Sequence, residues 1–447
     1  MHALDKKGSK PLYEQLYEQL RDDMLTGRIK EGERLPSKRT LADQLQVSLI
    51  TVENAYSQLI AEGYVQAVQR SGYFAQYSGD AVKLPKHELK KLLETSRDEP
   101  LPQPSAGETI FPFSVWTRLM RSVILEQGTR LLRSVKNGGA YELREVISGY
   151  LYRARGIYAP PERIIVGSGT EYLYNLLIQL LGRDKRYGVE NPGYTKLAKI
   201  YALNDVKVEY ISLDNSGMRV DELREKGVDI AHISPAHHFP TGIVMPISRR
   251  REILSWAADG ERFIVEDDYD SEFRHSGKPV PTIFGLGDAE RVIYINTFSQ
   301  TIAPSVRISY MCLSKSLYKL WCEKMGFYAC SVPAFEQYTL ARFISEGYFE
   351  RHINRIKKRF KRVCEQVLQL ISSYPGVQIS EQNAGLHFTI KAPESSEKIV
   401  ADCAQCGIKV TPLAEYYSNP ADCAPDLFVV NYANVNEEML QAVLEKF

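Results

Sequence analysis

From residue 107 onward, short apolar runs alternate with helical stretches, and this alternation limits the fold more than any other feature of the sequence. The runs are RIIVGSG, VKVEYISL, DIAHISP, RFIVEDD and RVIYINTF, and the stretches between them include TEYLYNLLIQLL and RREILSWAA. Buried strands separated by helices are typical of a mainly parallel sheet that is covered on both faces. We therefore predict an α/β domain in which ligands bind at the carboxyl ends of the strands.

The N-terminal residues have a different pattern, in which three helices precede a β hairpin. LYEQLYEQLRDDML places apolar residues at helical spacing after Pro11, and Ser37 and Ser48 can each cap a further helix. YVQAVQRSGYFAQY predicts two short strands that turn at Ser71-Gly72. This order of elements predicts a winged helix-turn-helix.

Length and composition favour more than one domain. A chain of 447 residues with 44% hydrophobic residues exceeds one ordinary core. The polar, proline-containing stretch SGDAVKLPKHELKKLLETSRDEPLPQPSAGE predicts a linker. We therefore expect a first domain over 1–76, a linker over 77–106 and a second domain over 107–447.

Charge, cysteine content and hydropathy exclude several classes of protein. The net charge is +1, so affinity for nucleic acid must come from a local patch. Seven scattered cysteines favour free thiols, and the lone Cys403-Ala-Gln-Cys406 pair does not predict a metal site. No stretch approaches the roughly 20 apolar residues of a membrane span, so we expect a cytoplasmic protein without membrane contact.

The segment GERLPSKRTLADQLQVSLITVENAYSQLIAEGYV, with the wing RSGYF, resembles the DNA-binding domain of GntR-type bacterial regulators. A third helix that enters the major groove would place Thr51 at base edges, while basic side chains neutralise phosphates. The predicted DNA-binding residues are Ser37, Lys38, Arg39, Ser48, Thr51, Arg70 and Gly72. The GntR family usually has arginine where Leu49 stands, so no operator sequence is inferred. The alternative is a three-helix protein-interaction module.

Four strand ends of the second domain carry residues suited to a phosphorylated, planar ligand. Ser168-Gly169-Thr170 leads from a strand into a helix, where free amides can bind an anion. Tyr194 follows a Pro-Gly turn, and its ring could lie against a planar cofactor. VEDDYDSEFR and NTFSQTIAPSVRISY supply Asp267, Tyr269, Thr297, Ser299 and Arg307.

These motifs, together with FPFSVWTRLMR, GAYELREVISGYL and SPAHHFPTG, resemble fold-type I pyridoxal-phosphate aminotransferases, and their pairing with a GntR-like domain resembles the MocR class of regulators. The resemblance covers essentially the entire chain. It implies a mixed, mainly parallel sheet, a smaller C-terminal α+β part, a pyridoxal 5'-phosphate cofactor and a homodimer.

The resemblance also implies a role for each site residue. Asp267 would pair with the pyridine nitrogen, Tyr269 would bond the phenolic oxygen, and Tyr194 would stack on the ring. The phosphate would be held by Gly169, Thr170, Thr297, Ser299 and Arg307. His237 and His238 would line the site. The alternative is that Asp267 belongs to a solvated acidic turn and that Tyr194 is ordinary packing at a rim.

Gln300 stands where this family has its Schiff-base lysine. An amide nitrogen is not nucleophilic, because its lone pair is delocalised, so no catalytic residue is predicted and the cofactor would be bound non-covalently. The arginine that grips a substrate carboxylate in aminotransferases would lie near Val429, and valine cannot replace it. Whether Gln300 is natural or introduced is left open by the sequence.

We therefore predict a transcriptional regulator that binds operator DNA and whose second domain senses pyridoxal phosphate, an amine or amino acid, or both. One alternative is a pyridoxal-phosphate-dependent aminotransferase with an accessory DNA-binding domain. Another is a cofactor-free regulator that uses the second domain only to form dimers.

Overall fold

The computed structural model describes residues 4–5, 10–76, 110–274, 280–287, 289–380, 385–392 and 397–444. The chain forms two compact units, Met1–Pro102 and Gln103–Phe447. We call the described part of the first unit the head and that of the second unit the body. The predicted linker, 77–106, lies outside the described residues.

The head is a three-helix unit with a small antiparallel sheet. Its elements are α1 (Leu12–Leu25), β1 (Arg34–Leu35), α2 (Lys38–Leu45), α3 (Leu49–Ala61), β2 (Val65–Val68) and β3 (Gly72–Ala75). The strands pair in the order β1-β3-β2, with β2 and β3 forming the hairpin. Apolar side chains of α1 and α3 meet in a single core with residues of α2 and the sheet. The predicted winged helix-turn-helix is confirmed.

The body is built around an eight-stranded sheet in the order β4-β11-β10-β9-β8-β5-β6-β7. The strands are β4 (Ile164–Gly167), β5 (Arg186–Asn191), β6 (Lys207–Asp214), β7 (Gly217–Met218), β8 (Ile230–Ile233), β9 (Phe263–Asp267), β10 (Val292–Thr297) and β11 (Ser309–Cys312). Strands β6, β5, β8, β9 and β10 run parallel, whereas β11 is antiparallel to both of its neighbours. The predicted mixed, mainly parallel sheet is confirmed.

Helices cover both faces of this sheet. They are α4 (Phe113–Gln127), α5 (Tyr141–Arg155), α6 (Thr170–Leu181), α7 (Thr195–Leu203), α8 (Val220–Glu225), α9 (Ile247–Ala258), α10 (Lys315–Met325) and α11 (Ala334–Ser345). One core joins the sheet to α6, α7 and α10, and another joins it to α4, α5, α8, α9 and α11. Because successive side chains of a strand face opposite ways, central strands such as β9 and β10 contribute to both cores.

The C-terminal part of the body is a smaller α+β layer. It contains α12 (Tyr348–Ser372), β12 (Gln378–Ser380), β13 (His387–Lys391), α13 (Glu397–Gln405), β14 (Lys409–Pro412), β15 (Leu427–Asn431) and α14 (Glu437–Leu444). The four strands pair antiparallel in the order β12-β13-β15-β14. Their apolar face packs on α12, α13 and α14. Cys403 and Cys406 form no disulfide bond within the described residues and are fully buried in this core.

Among the residues that the structure describes, no helix is both long enough and apolar enough to cross a membrane.

Candidate functional site

A cavity of about 580 Å³ lies at the carboxyl ends of the parallel strands of the body. The eight predicted cofactor residues, which are far apart in sequence, all line it: Gly169, Thr170, Tyr194, Asp267, Tyr269, Thr297, Ser299 and Arg307. Gln300 lines the same cavity. The structure therefore brings the predicted site together at the sheet edge where α/β proteins bind ligands.

Asp267 ends β9 and directs a carboxylate oxygen toward the cavity. Its side chain is held by α6 and β8, because Oδ2 accepts a hydrogen bond from the Tyr174 hydroxyl and lies 3.4 Å from His232 Nε2. His232 is oriented in turn by Tyr201, whose hydroxyl is 2.6 Å from Nδ1. Asp267 Oδ1 is buried and has no hydrogen-bond partner. A buried acceptor without a partner is costly, so this oxygen suits a ligand that donates a proton to it.

The acidic residues around Asp267 do not form a solvated turn. Glu266 is fully buried, accepts two backbone N–H bonds of 2.9 Å, and lies 3.8 Å from Arg250. Asp268 is also buried and lies 2.7 Å from Arg155. Asp267 itself is only 6% exposed. The solvated-turn alternative is therefore wrong, because each carboxylate has its own buried environment.

Tyr269 presents a second polar atom that lacks a hydrogen-bond partner. Its hydroxyl is buried and makes no hydrogen bond of acceptable geometry, although the residue lines the cavity. Burial, and then the nearby Asp270 and Asp267 carboxylates, raise the pKa of Tyr269 well above its usual value. Tyr269 is therefore a neutral donor, suited to an acceptor on a ligand.

Backbone amides and a guanidinium converge at one end of the cavity. Helix α6 starts after Gly169, which has φ +95° and provides no side-chain cap for the first amides. A Cβ on Gly169 would lie 2.8 Å from Arg307 Nη2, so the arginine passes directly over this glycine. Thr297 Oγ1 accepts from the Ser299 N–H at 3.1 Å and fixes the adjacent turn. Uncapped amides beside a cation are suited to binding an anion, and we call this end of the cavity the candidate anion site.

Glu171 is the counter-ion of this anion site. It lies 3.7 Å from Arg307 Nη2 and accepts a hydrogen bond from Lys196. The hydrogen bond from Lys196 lowers the pKa of Glu171 below its usual value, which keeps the carboxylate charged. A bound anion would therefore compete with Glu171 for the arginine.

Tyr194 and Gln300 lie at the more open side of the cavity. Tyr194 is 46% exposed, and its ring centroid is 6.4 Å from that of Phe239 in an edge-on arrangement. Gln300 is exposed on the turn after β10. Lys199 and Arg307 are the only cationic side chains among the described residues that line the cavity. The Tyr194 ring, in the cavity that Gln300 also lines, is available for stacking with a planar ligand.

The head carries its predicted DNA-binding residues around the helix-turn-helix and the wing. Ser37 Oγ caps α2 by accepting from the Thr40 N–H, and Ser48 Oγ caps α3 by accepting from the Thr51 N–H. Arg39 and Arg70 are exposed, and Arg70 has a positive φ of 62° in the hairpin turn. Lys38 instead forms a 2.6 Å ion pair with Glu53. Gly72 has φ +122°, and a Cβ there would lie 3.1 Å from Arg34 Nε, so the wing is tightly packed at this glycine.

Comparison with known proteins identifies the head and the family. The family described as "Bacterial regulatory proteins, gntR family" matches residues 12–74. The probable rhizopine catabolism regulatory protein MocR of Rhizobium meliloti is 29% identical, over 99% of this chain and 94% of its own length. The uncharacterized HTH-type transcriptional regulator YdeL of Bacillus subtilis (strain 168) is 35% identical, over 98% of this chain and 96% of its own length. The chain belongs to the MocR-type family of transcriptional regulators. It is a DNA-binding regulator with an aminotransferase-like domain.

Two further proteins extend this comparison. The pyridoxine biosynthesis transcriptional regulator PdxR of Corynebacterium glutamicum is 29% identical, over 96% of this chain and 94% of its own length. The crystal structure of the multiple substrate aminotransferase (MsAT) of Thermococcus profundus superposes with a TM-score of 0.65 at 25% identity, and covers 80% of this chain and 92% of the enzyme. The body of this MocR-type regulator thus has the aminotransferase fold.

Two histidines of this MocR-type regulator lie elsewhere than the sequence predicts. His237 and His238 do not line the cavity; both are 2% exposed and bond to Asp270 and Thr241, respectively. The chain turns after β8 so that both rings point into the protein. His387, on β13, lines the cavity instead, 4.4 Å from the His237 ring centroid.

The structure also forms a cluster that the sequence did not predict as a metal site. Ligand atoms of His237, Asp270 and His387 lie within 4.8 Å of one another. Two of the three residues are joined directly, by a 2.8 Å hydrogen bond between His237 Nδ1 and Asp270 Oδ2.

Val429 lies near the position where the resemblance to aminotransferases places an arginine that binds the substrate carboxylate. Val429 is 1% exposed in the middle of β15 and does not reach the cavity lining. Asn431, two residues later on the same face of the strand, lines the cavity. This wall therefore offers a neutral amide.

Glu190 is the main functional candidate that the sequence analysis missed. It is the next-to-last residue of β5, lines the cavity and accepts a hydrogen bond from the Ser234 N–H at 3.0 Å. Burial, together with the charge of Asp267, raises the pKa of Glu190 to about 8. The carboxyl is thus neutral at pH 7. Its position in VENPGY, directly at a strand end, was the available signal.

Proposed function

We propose that the body of this MocR-type regulator binds pyridoxal phosphate without a covalent bond to residue 300, and that occupancy of the cavity controls DNA binding by the head. The observation that carries the proposal is the pair of unpartnered polar atoms, Asp267 Oδ1 and the Tyr269 hydroxyl, in the cavity that contains Gln300. The relationship to PdxR and the aminotransferase fold support the choice of ligand.

The residues present suit this group. Asp267 would hold a proton on the pyridine nitrogen, and Tyr269 would donate to the phenolic oxygen. The uncapped amides of α6 and the Arg307 guanidinium would bind the phosphate. Tyr194 would cover one face of the ring. When bound, pyridoxal phosphate supplies a reactive aldehyde and an electron-withdrawing ring.

Gln300 decides what the chain can do with that aldehyde. Its amide can donate or accept a hydrogen bond, but it can neither attack the aldehyde nor carry the proton that transamination must move. We therefore expect the body to act as a sensor of pyridoxal phosphate alone or together with an amine or amino acid. Since the β15 wall offers Asn431 and no cation, recognition of an effector carboxylate would depend on other groups.

We further propose the domain limits 1–76, 77–106 and 107–447, a homodimer, and action in the cytoplasm. The dimer is supported by the aminotransferase-like fold of the body, and the location by the DNA-binding head. Two heads in one dimer would suit a two-part operator.

The proposal is tested by absorbance titration of the purified full-length protein with pyridoxal phosphate, followed by borohydride reduction and mass measurement. The wild-type protein should show saturable binding and no covalent adduct. Gln300→Lys is the matched control and should bind covalently after reduction. Asp267→Asn should bind more weakly, because the amide cannot hold the pyridine proton as an anion does.

Three results would contradict this function. A borohydride-fixed ligand on wild-type side chains would show that the protein has another nucleophile. The absence of saturable binding would favour the cofactor-free alternative. Turnover of an amino-acid panel by the wild-type chain would favour the aminotransferase alternative.

A further inference from the structure

The first turn of α3 exposes two aliphatic side chains. Leu49 is 43% exposed and Ile50 is 67% exposed. The opposite side of the same helix is buried in the head core through Val52, Ala55 and Leu59. Leu49 and Ile50 therefore belong to the outward face of the helix that a winged helix-turn-helix inserts into the major groove.

The polar groups around these two residues are already engaged within the head. Ser48 Oγ accepts from the Thr51 N–H at 3.1 Å and lies 2.8 Å from the Thr51 hydroxyl. Glu53, which follows Ile50 by one turn, is paired with Lys38 at 2.6 Å. The first turn of α3 thus exposes an apolar surface, and the polar side chains of its N-terminal cap already have hydrogen-bond partners within the head. Thr51, which the sequence analysis placed at base edges, is only partly free to bond there.

The major groove offers one apolar group at base edges, the C5-methyl of thymine. We infer that Leu49 and Ile50 read thymine methyl groups, so that the head selects operators with thymine beneath the first turn of α3. Exposed Asn54, one turn after Ile50, is suited to the adenine edge of an A·T pair. The exposed Arg39 and Arg70 provide phosphate contacts, which position the helix without reading sequence.

The test removes the methyl groups and nothing else. The tightest duplex is first selected from a random-sequence library with the full-length wild-type protein, and each thymine of that duplex is then replaced by deoxyuridine. At the contacted thymines, binding should weaken by roughly fourfold per methyl, the effect of burying one such group against an apolar side chain. Other thymines should show no change.

Variants assign the effect to the two residues. Leu49→Ala and Ile50→Ala should bind the thymine duplex more weakly and should each lose sensitivity to deoxyuridine at one or more contacted positions. Leu49→Met keeps an apolar side chain and should keep that sensitivity. Both positions are solvent-exposed, so unchanged circular dichroism is expected for all three variants.

Arg39→Ala is the matched control. It should weaken binding to every duplex by a similar factor and lower the salt dependence, while methyl sensitivity is retained. The inference is overturned if the deoxyuridine scan is flat while the wild-type protein binds the duplex. It is also overturned if the two alanine variants remain as sensitive to methyl removal as the wild type.

Discussion

The buried carboxyl of Glu190 should make the stability of the body depend on pH, and Glu190→Gln should remove that dependence. The folded-state pKa is raised to about 8 by burial and by Asp267, from an ordinary value of 4.5. Between these values the folded protein holds a proton that the unfolded chain releases. The stabilising contribution of the neutral form is therefore fully present below about pH 4.5 and is lost as pH rises toward 8.

The size of the effect follows from the number of pH units over which the folded protein keeps the proton and the unfolded chain has lost it. Each pH unit corresponds to about 1.4 kcal/mol, so Glu190 should reduce the free energy of unfolding by roughly 4 kcal/mol between pH 5 and pH 8. Glutamine is neutral throughout and can still accept the Ser234 N–H. The unfolding entropy is about 2 cal/mol/K per residue. The Tm of Glu190→Gln minus the Tm of wild type should therefore be roughly 5 °C larger at pH 8 than at pH 5.

The assay is thermal unfolding of both proteins at pH 5, 6.5 and 8. Taking the difference between the two proteins cancels other buried acids, such as Glu266 and Glu272, whose pKa values burial also raises. Glu171→Gln is the control, because the pKa of Glu171 is lowered and its titration lies below this range. Parallel pH profiles for wild type and Glu190→Gln would refute the reasoning, since Glu190 would then be charged or solvated in the folded body.

Three other substitutions test individual contacts. Gly169→Ala should weaken pyridoxal-phosphate binding tenfold or more in an absorbance titration, because a Cβ there would lie 2.8 Å from Arg307 Nη2 and would displace the guanidinium from the phosphate; unchanged affinity would contradict the role of Gly169 in phosphate binding. Ser48→Ala should destabilise the start of α3 by about 1 kcal/mol, seen as roughly fivefold faster amide hydrogen exchange there, and equal exchange would contradict its role as a cap. Tyr174→Phe should lower the free energy of urea unfolding by about 1–2 kcal/mol, because it leaves Asp267 Oδ2 with only a 3.4 Å contact to His232; an unchanged urea midpoint would contradict this.

The cavity residues could be predicted because most of them lie at, or within a few residues of, the end of a recognisable strand. Gly169, Tyr194 and Asp267 lie at or just after the ends of β4, β5 and β9, where an apolar run stops, and Arg307 lies just before β11. In a parallel sheet those strand ends meet at one edge, so local patterns are sufficient to assemble a site from distant residues. The winged helix was predictable for a similar reason, since its caps and hairpin turn are local signals.

Side-chain direction and tertiary partners were not predictable in the same way. His237 and His238 follow β8 closely, yet both rings are buried behind residues that line the cavity, where they contact Asp270 and Glu190, respectively. Tyr174 and His232 support Asp267 from elements whose apolar pattern gives no sign of a buried polar contact. Glu190 was overlooked because its importance comes from burial, which a single charged residue at a strand end does not reveal.

Strand β9 separates two electrostatic environments. Glu266 and Asp268 face permanent arginine partners on one side, whereas Asp267 faces the cavity on the other. Glu266 and Asp268 have their arginine partners whether or not a ligand is present. A ligand in the cavity would therefore change the electrostatic environment of Asp267 and leave these two ion pairs in place. If a ligand pairs with Asp267, we expect the response of the body to start at the side chains that hold this carboxylate, Tyr174 of α6 and His232 of β8.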